Sequence, residues 1–170
     1  MWTTMKNTIR PITDGALSSW RLISQSPEQT TVDGYEVRTW MRQAPSRLTD
    51  ENSVLEAAKL LEKHPLAHVP VYDSEGAWLG MVSHRAIIRQ MGLGKTSEDL
   101  GAMSVTEIME AEPEIVKPSF SLSRAVQLMR EKEVSCLPVV CDGIFLGVLT
   151  EAEVLKAVDT FHMEGFSLAA

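Results

Sequence analysis

Apolar residues recur at a helical spacing in two separate stretches of the chain. Each stretch has apolar side chains at positions i, i+3, i+4 and i+7, which a helix places on one face. The two sets are Val54, Ala57, Ala58 and Leu61, and Leu122, Ala125, Val126 and Met129. Ser53 and Glu56 form a capping-box signature before the first set. Ser121 precedes the second set, but Arg124 stands where the box would need an acid, so we predict two amphipathic helices, the second with a weaker start.

Two short β-branched runs follow each predicted helix, and a turn separates the runs of each pair. In one-letter code they are HVPVYD (68–73) and WLGMVS (78–83), then CLPVVC (136–141) and FLGVLT (145–150). This pattern predicts two β-hairpins whose near-continuous apolar character suits sheets covered on both faces. A further helix is expected to begin near His84 and near Glu151. Upstream, EVRTWMR and SVTEIME are typical of single helical turns, and RLT and EIVK of short strands.

The same elements therefore occur twice, in the order turn, strand, helix, hairpin, helix. Met41 aligns with Met109 at an offset of 68 positions, and Gly80 aligns with Gly147 at an offset of 67. The second copy is therefore one residue shorter than the first. The missing residue corresponds to a position between Val71 and Gly76, where a hairpin turn tolerates a deletion. The chain is an internal repeat, and each copy is small enough that we expect the two to share one core.

Composition narrows the classes of partner. The 170 residues are 44% hydrophobic, and the formal net charge is -7 at pH 7. Nucleic acid and anionic membranes require a basic face, so neither is expected as the principal partner. We find no apolar stretch of the length needed to cross a bilayer and no signal-peptide pattern at the start, and so predict a cytoplasmic protein. Cys136 and Cys141 have no zinc spacing and are expected to be reduced thiols in or near the core.

No constellation of catalytic or metal-ligating residues stands out. The four histidines do not form a metal-ligand spacing, and none accompanies a candidate nucleophile. The segment GLGKT (92–96) imitates the end of a phosphate-binding P-loop, but Arg89 occupies the position of the required glycine. It also follows a predicted helix rather than a strand, so we interpret it as a helix stop. We expect a protein that is not an enzyme and holds no metal.

Taken together, these motifs resemble the CBS domain, which normally occurs as a tandem pair called a Bateman module. The resemblance rests on VRTWM and VTEIM, on EAAKLLEKH and RAVQLMREK, on HVPV and CLPV, and on GMVSHRA and GVLTEAE. It covers about Glu36 to Val158. It implies an α/β chain of the α+β kind, with tandem CBS repeats, each strand-helix-hairpin-helix, packed through their sheets around a pseudo-twofold axis.

The resemblance also implies a domain plan and a function. The plan is an N-terminal extension (1–35), a first repeat (36–92), a linker (93–104), a second repeat (105–160) and a C-terminal tail (161–170). Within the extension, Asp14 to Ile23 favours a short amphipathic helix, and Ser24 to Gly34 a linker. Family members bind AMP, ADP, ATP, S-adenosylmethionine or NAD in clefts between repeats, form homodimers and regulate other proteins.

The family's ligand signature is a glycine, two apolar residues, a Ser or Thr, two residues and an Asp that accepts hydrogen bonds from ribose hydroxyls. The second copy matches it with Thr150 and Glu153, one methylene longer than Asp. The first copy has Ser83 but then Ala86, which cannot hold a ribose diol. A helix that starts after the strand presents free N–H groups to an anion. Ser83 and Thr150 are therefore either ligand contacts or N-caps, and Glu153 either a ribose acceptor or an exposed helix residue.

The cations are distributed the opposite way. His84 and Arg85 follow Ser83, whereas Glu151 and Ala152 follow Thr150. Arg85 is either a phosphate ligand, acting on a nucleotide whose ribose Glu153 holds, or a solvated charge. The division predicts at most one good nucleotide site per chain. The resemblance assigns the edges of an adenine pocket to strand residues that include His68, Pro70, Lys117, Ser135, Leu137 and Pro138.

The leading hypothesis is a dimeric cytoplasmic sensor that binds an adenosine-containing ligand and signals to a regulated protein. The alternative is a ligand-independent dimerisation or scaffold module with degenerate clefts, for which Ala86 is the main argument, possibly as the regulatory part of a larger protein. An enzyme ranks third.

Overall fold

The computed structural model describes residues 35–44, 46–63 and 67–163. Its elements are helix α1 (Val37–Trp40), strand β1 (Leu48–Thr49), helix α2 (Val54–Lys63), strands β2 (His68–Tyr72) and β3 (Trp78–Ser83), helices α3 (His84–Gly92) and α4 (Ser97–Ala102), a 3-10 turn (Val105–Glu107), helix α5 (Leu122–Lys132), strands β4 (Cys136–Cys141) and β5 (Ile144–Thr150), and helix α6 (Glu151–Met163). The predicted α+β class is confirmed, and the order of elements is as predicted except at residues 114–117, where Val116 forms an isolated bridge in place of the predicted strand. Within these ranges no helix is both long and apolar enough to cross a bilayer. The predicted helix at 14–23, the linker at 24–34 and the tail beyond 163 lie outside the described residues.

The two amphipathic helices start as their sequences predict. At α2, the Glu56 N–H donates to Ser53 Oγ (3.2 Å) and the Ser53 N–H donates to Glu56 Oε2 (2.7 Å), which completes the capping box. At α5, Ser121 is the N-cap residue but its side chain makes no capping hydrogen bond. Its hydroxyl pairs with that of Ser123 instead. The second helix therefore relies more on its buried face than on its cap.

The chain divides into two compact units, and the first contains residues 46–111 and 142–144. Its sheet has the order β1-β2-β3, with β1 parallel and β3 antiparallel to β2. The central strand is buried on both faces, as its apolar run predicts. The core joins these strands to one side of α2 and α3 through buried residues that include Leu48, Val54, Ala57, Leu61, Val69, Val71, Val82 and Ile87.

The second unit contains residues 35–44, 112–141 and 145–163 of the described chain. Strands β4 and β5 form its sheet, and Val116 pairs with Val139 in parallel in place of a longer first strand. The turn between β4 and β5 is Asp142-Gly143, both with positive φ (49° and 75°), the conformation that suits a two-residue hairpin. The core comprises Val37, Val116, Leu122, Ala125, Leu128, Met129, Leu137, Val139, Leu149 and Ala157.

The helical turn that leads each sequence repeat packs in the other repeat's unit. Val37 of α1 is fully buried in the second unit's core, although it lies at the start of the first copy. Val105 of the 3-10 turn is fully buried in the first unit's core, although it lies at the start of the second copy. We refer to these segments as the exchanged turns. The units of packing are therefore offset from the units of sequence repetition.

The segment between the copies, predicted as a linker, contains the helix α4. Thr96 caps α4 by accepting from the Asp99 N–H (3.2 Å), and Asp99 accepts in return from the Thr96 N–H (2.7 Å). Leu100 anchors the helix in the first core. Just before it, Gly94 has φ +81° where the chain leaves α3, and so the GLGKT segment ends a helix, as predicted.

Candidate ligand site

One glycine in each hairpin allows a second backbone segment to lie directly against it. A Cβ at Gly147 would be 2.4 Å from the Arg42 carbonyl oxygen, and a Cβ at Gly80 would be 2.3 Å from that of Glu110. The approach permits a pair of backbone hydrogen bonds between Arg42 and Val148, both 2.9 Å. Met81 and Glu110 form the equivalent pair in the first unit (3.0 and 2.8 Å). The glycine that opens each signature therefore places the residue after the leading turn beside the start of the next helix.

In the second unit this arrangement brings Arg42 to the first turn of α6. Glu153 is buried there, with a side chain only 4% exposed. Its Oε2 accepts a hydrogen bond from the Thr150 hydroxyl. Its Oε1 lies 3.5 Å from Arg42 Nε and 3.8 Å from Lys156 Nζ, yet neither Oε1 nor Arg42 Nε makes a hydrogen bond within the described chain. This buried carboxylate oxygen is therefore still able to accept a hydrogen bond.

A pocket of about 750 Å³ opens beside this carboxylate, entirely within the second unit. It is lined by Thr39, Trp40, Met41, Arg42, Gln43, Glu153, Lys156, Asp159 and Thr160. The volume is in the range of small-molecule sites. Its lining combines one aromatic side chain with two cations and two carboxylates. The pocket therefore offers a flat apolar surface next to a buried hydrogen-bond acceptor and a positive group.

The equivalent position in the first unit is organised differently. Ser83 is the N-cap of α3 and accepts from the Ala86 N–H (3.1 Å). Ala86 occupies the place of Glu153, and Glu110 that of Arg42. His84 and Arg85 are exposed. This unit therefore presents no carboxylate at the position where the second unit buries one.

Profile matches and structural neighbours identify the family. The profile described as "CBS domain" matches residues 37–92 and 105–160. The chain belongs to the CBS domain family. The CBS pair is similar to the CBS domain-containing protein YhcV of Bacillus subtilis, at 28% identity over 114 residues, which is 66% of this chain and 78% of YhcV. It is also similar to the crystal structure of CBSX2 in complex with AMP, at 27% identity and a TM-score of 0.64, covering 75% of this chain and 98% of CBSX2.

Some curated relatives of this CBS pair are much longer proteins. Homoserine O-acetyltransferase of Methanocorpusculum labreanum is 32% identical over 115 residues, which are 67% of this chain and 22% of the enzyme. The chain thus spans about a fifth of that relative's length. The likeness concerns the CBS pair.

The remaining predicted residues of the CBS pair lie on the strands and at their ends. Leu137 is fully buried, as are the side chains of Pro70 and Pro138, so these residues offer mainly backbone groups. The Pro138 carbonyl accepts from the Val116 N–H (3.0 Å), and the Ser135 carbonyl from the Glu151 N–H (3.2 Å). Lys117 is exposed. Of the predicted residues, the structure brings Thr150 and Glu153 into direct contact in the second unit, whereas Ser83, His84, Arg85, His68 and Pro70 belong to the first.

Two cations of the second CBS unit were absent from the sequence prediction. Lys156 follows Glu153 by three positions on α6, and this helical spacing was a usable signal. Arg42 belongs to the first repeat and reaches Glu153 of the second only through the exchanged turn, so nothing local in the sequence indicates the pair. The alternative that Glu153 is an ordinary exposed helix residue is wrong, because its side chain is buried.

His68 begins β2 in the first CBS unit and is held in its neutral form. Burial is the main cause, and the nearby Arg85 charge adds to it. Together they lower the His68 pKa from 6.5 to about 4. Its Nδ1 makes no hydrogen bond to any part of the chain that the structure describes.

Acid should therefore destabilise the first unit through His68. Because the folded pKa lies below the unfolded value, the unfolded state binds the proton first, and stability falls as the pH drops from about 6.5 toward 4. The loss from this one group is at most about 3 kcal/mol, reduced by the partial exposure of the ring. Urea denaturation of His68→Gln at pH 7.5 and pH 5 should show a smaller loss than the wild type. His84→Gln, which changes an exposed histidine, should match the wild type, and an identical pH dependence in all three proteins would contradict this role for His68.

Proposed function

We propose that this protein is a regulatory sensor that binds one adenosine-containing ligand, such as AMP, ADP, ATP, S-adenosylmethionine or NAD, in the pocket of its second unit. The observation that carries the proposal is the unused acceptor of Glu153, which is buried and faces the pocket. A buried oxygen that makes no hydrogen bond costs roughly 1–3 kcal/mol, and the ion pairs of Glu153 Oε1 with Arg42 and Lys156 offset part of that cost. A ligand hydroxyl that donates to this oxygen would recover the rest.

The chemistry of the pocket suits a nucleoside. Ribose hydroxyls are the donors that a carboxylate oxygen accepts best, because a charged acceptor strengthens the hydrogen bond. Thr150 holds Glu153 through Oε2 and leaves Oε1 for the ligand. Trp40 lines the pocket and offers a ring face against which a base can pack. The AMP named for the CBSX2 structure supports the same ligand class.

Signalling would follow from where the ligand lies. The pocket is lined by α6 and by α1 with the residues after it, which form the start of the first repeat. A ligand that contacts both would favour the conformers in which they stay together, and a regulated protein would respond to this population shift. Thr39 and Thr160 line the same pocket and belong to the surface that such a partner would sense. The role is regulatory and needs no catalytic residue.

We also propose that the sensor is a cytoplasmic homodimer. Ile88 on α3 is 58% exposed and Leu155 on α6 is 68% exposed. These residues occupy equivalent positions of the two copies, so the repeat preserves an exposed apolar side chain on the same helix face. Sedimentation velocity of the full chain tests the dimer directly, and a monomer at high concentration would refute it.

A thermal-shift screen with the five candidate ligands, followed by calorimetric titration, tests the ligand site. A specific ligand at about a hundred times its dissociation constant should add about 2.7 kcal/mol of stability, with one site per chain. Glu153→Gln keeps the side chain's shape but removes its charge, and should weaken binding by about 10–100-fold. The matched variant Ser83→Ala removes the corresponding hydroxyl in the first unit and should leave the affinity unchanged. Two equivalent sites, or an effect of Ser83→Ala alone, would refute this assignment.

No shift with any adenosine compound would favour the second candidate, a ligand-independent dimerisation module. The observation behind that candidate is Ala86, which removes the acceptor from the first unit. In that case Glu153→Gln and Ser83→Ala should both leave the dimer unchanged.

A further inference from the structure

We propose that Arg42 makes the second-unit pocket selective for adenosine compounds that carry phosphate, over neutral adenosine and over cationic S-adenosylmethionine. The inference rests on the proposed function and names the class of ligand within it. It begins from a pair of unused groups: Glu153 Oε1, an acceptor, and Arg42 Nε, a donor, lie 3.5 Å apart, and neither makes a hydrogen bond to the described residues. The pair attracts electrostatically but leaves both groups available.

The backbone holds Arg42 at this place. Two hydrogen bonds join it to Val148, and Gly147 lies against its carbonyl. The Arg42 side chain is 36% exposed, whereas that of Glu153 is only 4% exposed. The carboxylate is therefore the more buried group of the pocket, and the Arg42 side chain is the more exposed one, although its Nε is itself buried. A bound molecule would meet the acceptor at one end and the cation at the other.

A nucleoside phosphate carries the complementary groups. Its ribose hydroxyls can donate to Oε1, and its phosphate can accept from the guanidinium, whose planar donors match phosphate oxygens two at a time. Arg42 and Lys156 balance Glu153 and Asp159 in the lining of the pocket, so the phosphate would be attracted by the nearby guanidinium and not by a net charge of the pocket. A neutral nucleoside has no anion to place beside the Arg42 guanidinium, and a sulfonium group in the same place would be repelled by it.

The first unit has the opposite charge at the same fold position. Glu110 makes two backbone hydrogen bonds to Met81, as Arg42 does to Val148 in the second unit. No carboxylate occupies the position of Glu153 in the first unit, because that residue is Ala86. The shared fold therefore does not require arginine at this point, since a glutamate forms the same bridge. The arginine accompanies the carboxylate in one unit alone.

Calorimetric titration of the full chain with adenosine, AMP and S-adenosylmethionine at low ionic strength tests the inference. The wild type should bind AMP at least ten-fold more tightly than adenosine or S-adenosylmethionine. In Arg42→Gln the AMP preference should fall to about two-fold or less, while adenosine affinity stays within about three-fold of the wild type. Arg42→Lys, which keeps the charge, should retain an intermediate preference. Arg124→Gln makes the same charge change in the same unit, away from the pocket, and should leave the preference intact.

The outcomes separate the two proposals. If none of the three compounds binds, and ADP, ATP and NAD do not bind either, the proposed function fails and this inference fails with it. If adenosine and AMP bind the wild type equally, or if Arg42→Gln weakens both to the same extent, the inference alone is overturned, because Arg42 then only supports the fold around Glu153. Thermal unfolding of each variant checks that it is folded. If Arg42→Gln does not fold, Arg42→Lys is measured at 0.5 M salt, which screens electrostatic attraction. A full preference for AMP under that condition would count against the electrostatic role of residue 42.

Discussion

Replacing Gly147 with alanine should destabilise the second unit by about 2–4 kcal/mol, since the new methyl group forces two backbone segments apart. Its Cβ would lie 2.4 Å from the Arg42 carbonyl oxygen and 3.0 Å from the carbonyl carbon. Backbone atoms cannot rotate away as a flexible side chain can. Both hydrogen bonds between Arg42 and Val148 must therefore lengthen or break, and Arg42 must move away from Glu153. Urea denaturation measures the loss of stability as a lower midpoint.

Gly92→Ala provides the control, because no atom lies within 4 Å of a Cβ at Gly92, the last residue of α3. That variant should keep or slightly raise the stability, by up to about 1 kcal/mol, since alanine favours a helix more than glycine. Equal midpoints for Gly147→Ala and Gly92→Ala would show that the close approach at Gly147 does not exist in solution. Gly147→Ala should also weaken the binding of any ligand that depends on Arg42.

Placing a charge at Val37 should destabilise the second unit rather than the first, by about 4 kcal/mol or more. Val37 is fully buried in the core that contains Leu137 and Leu149, and Val37→Asp would leave a carboxylate there without a partner. Hydrogen exchange can locate the damage. Amides of α5 and β4 should lose protection, whereas those of β2 should be affected much less.

Thr39→Asp is the matched variant in the same helical turn, where the side chain is exposed. It should change the free energy of unfolding by no more than about 0.5 kcal/mol. The prediction fails if Val37→Asp lowers protection first in residues 46–63 and 67–83. That pattern would mean that α1 packs with its own sequence repeat.

Much of this fold was predictable because the repeat supplies each signal twice. Helices α3 and α6 begin at His84 and Glu151, directly after the two apolar runs, where the sequence predicted them. The capping box at Ser53 and its absence at Ser121 also follow from residue types at fixed spacing. Each of these features depends on interactions within a few residues, which a local pattern records.

The features that were not predictable depend on contacts between distant residues. A repeat indicates that two turns are equivalent but does not indicate which core each turn enters, so the exchange at Val37 and Val105 had no signal. The Arg42–Glu153 contact is a result of that exchange. The signature predicted a role for Glu153 and Thr150 in one site, but their hydrogen bond to each other and the burial of the carboxylate required the folded chain.

Because of the exchanged turns, the segment that is repeated in the sequence and the segment that packs as one unit begin and end at different residues. A cut in the linker at 93–104 would leave one fragment that carries a turn with no core to enter. The other fragment would lack Val37 from its interior and Arg42 from its pocket. The smallest transplantable part of this protein is consequently the pair, joined as it is in the chain, and a chimaera built from one copy would lose the outer half of its own binding site.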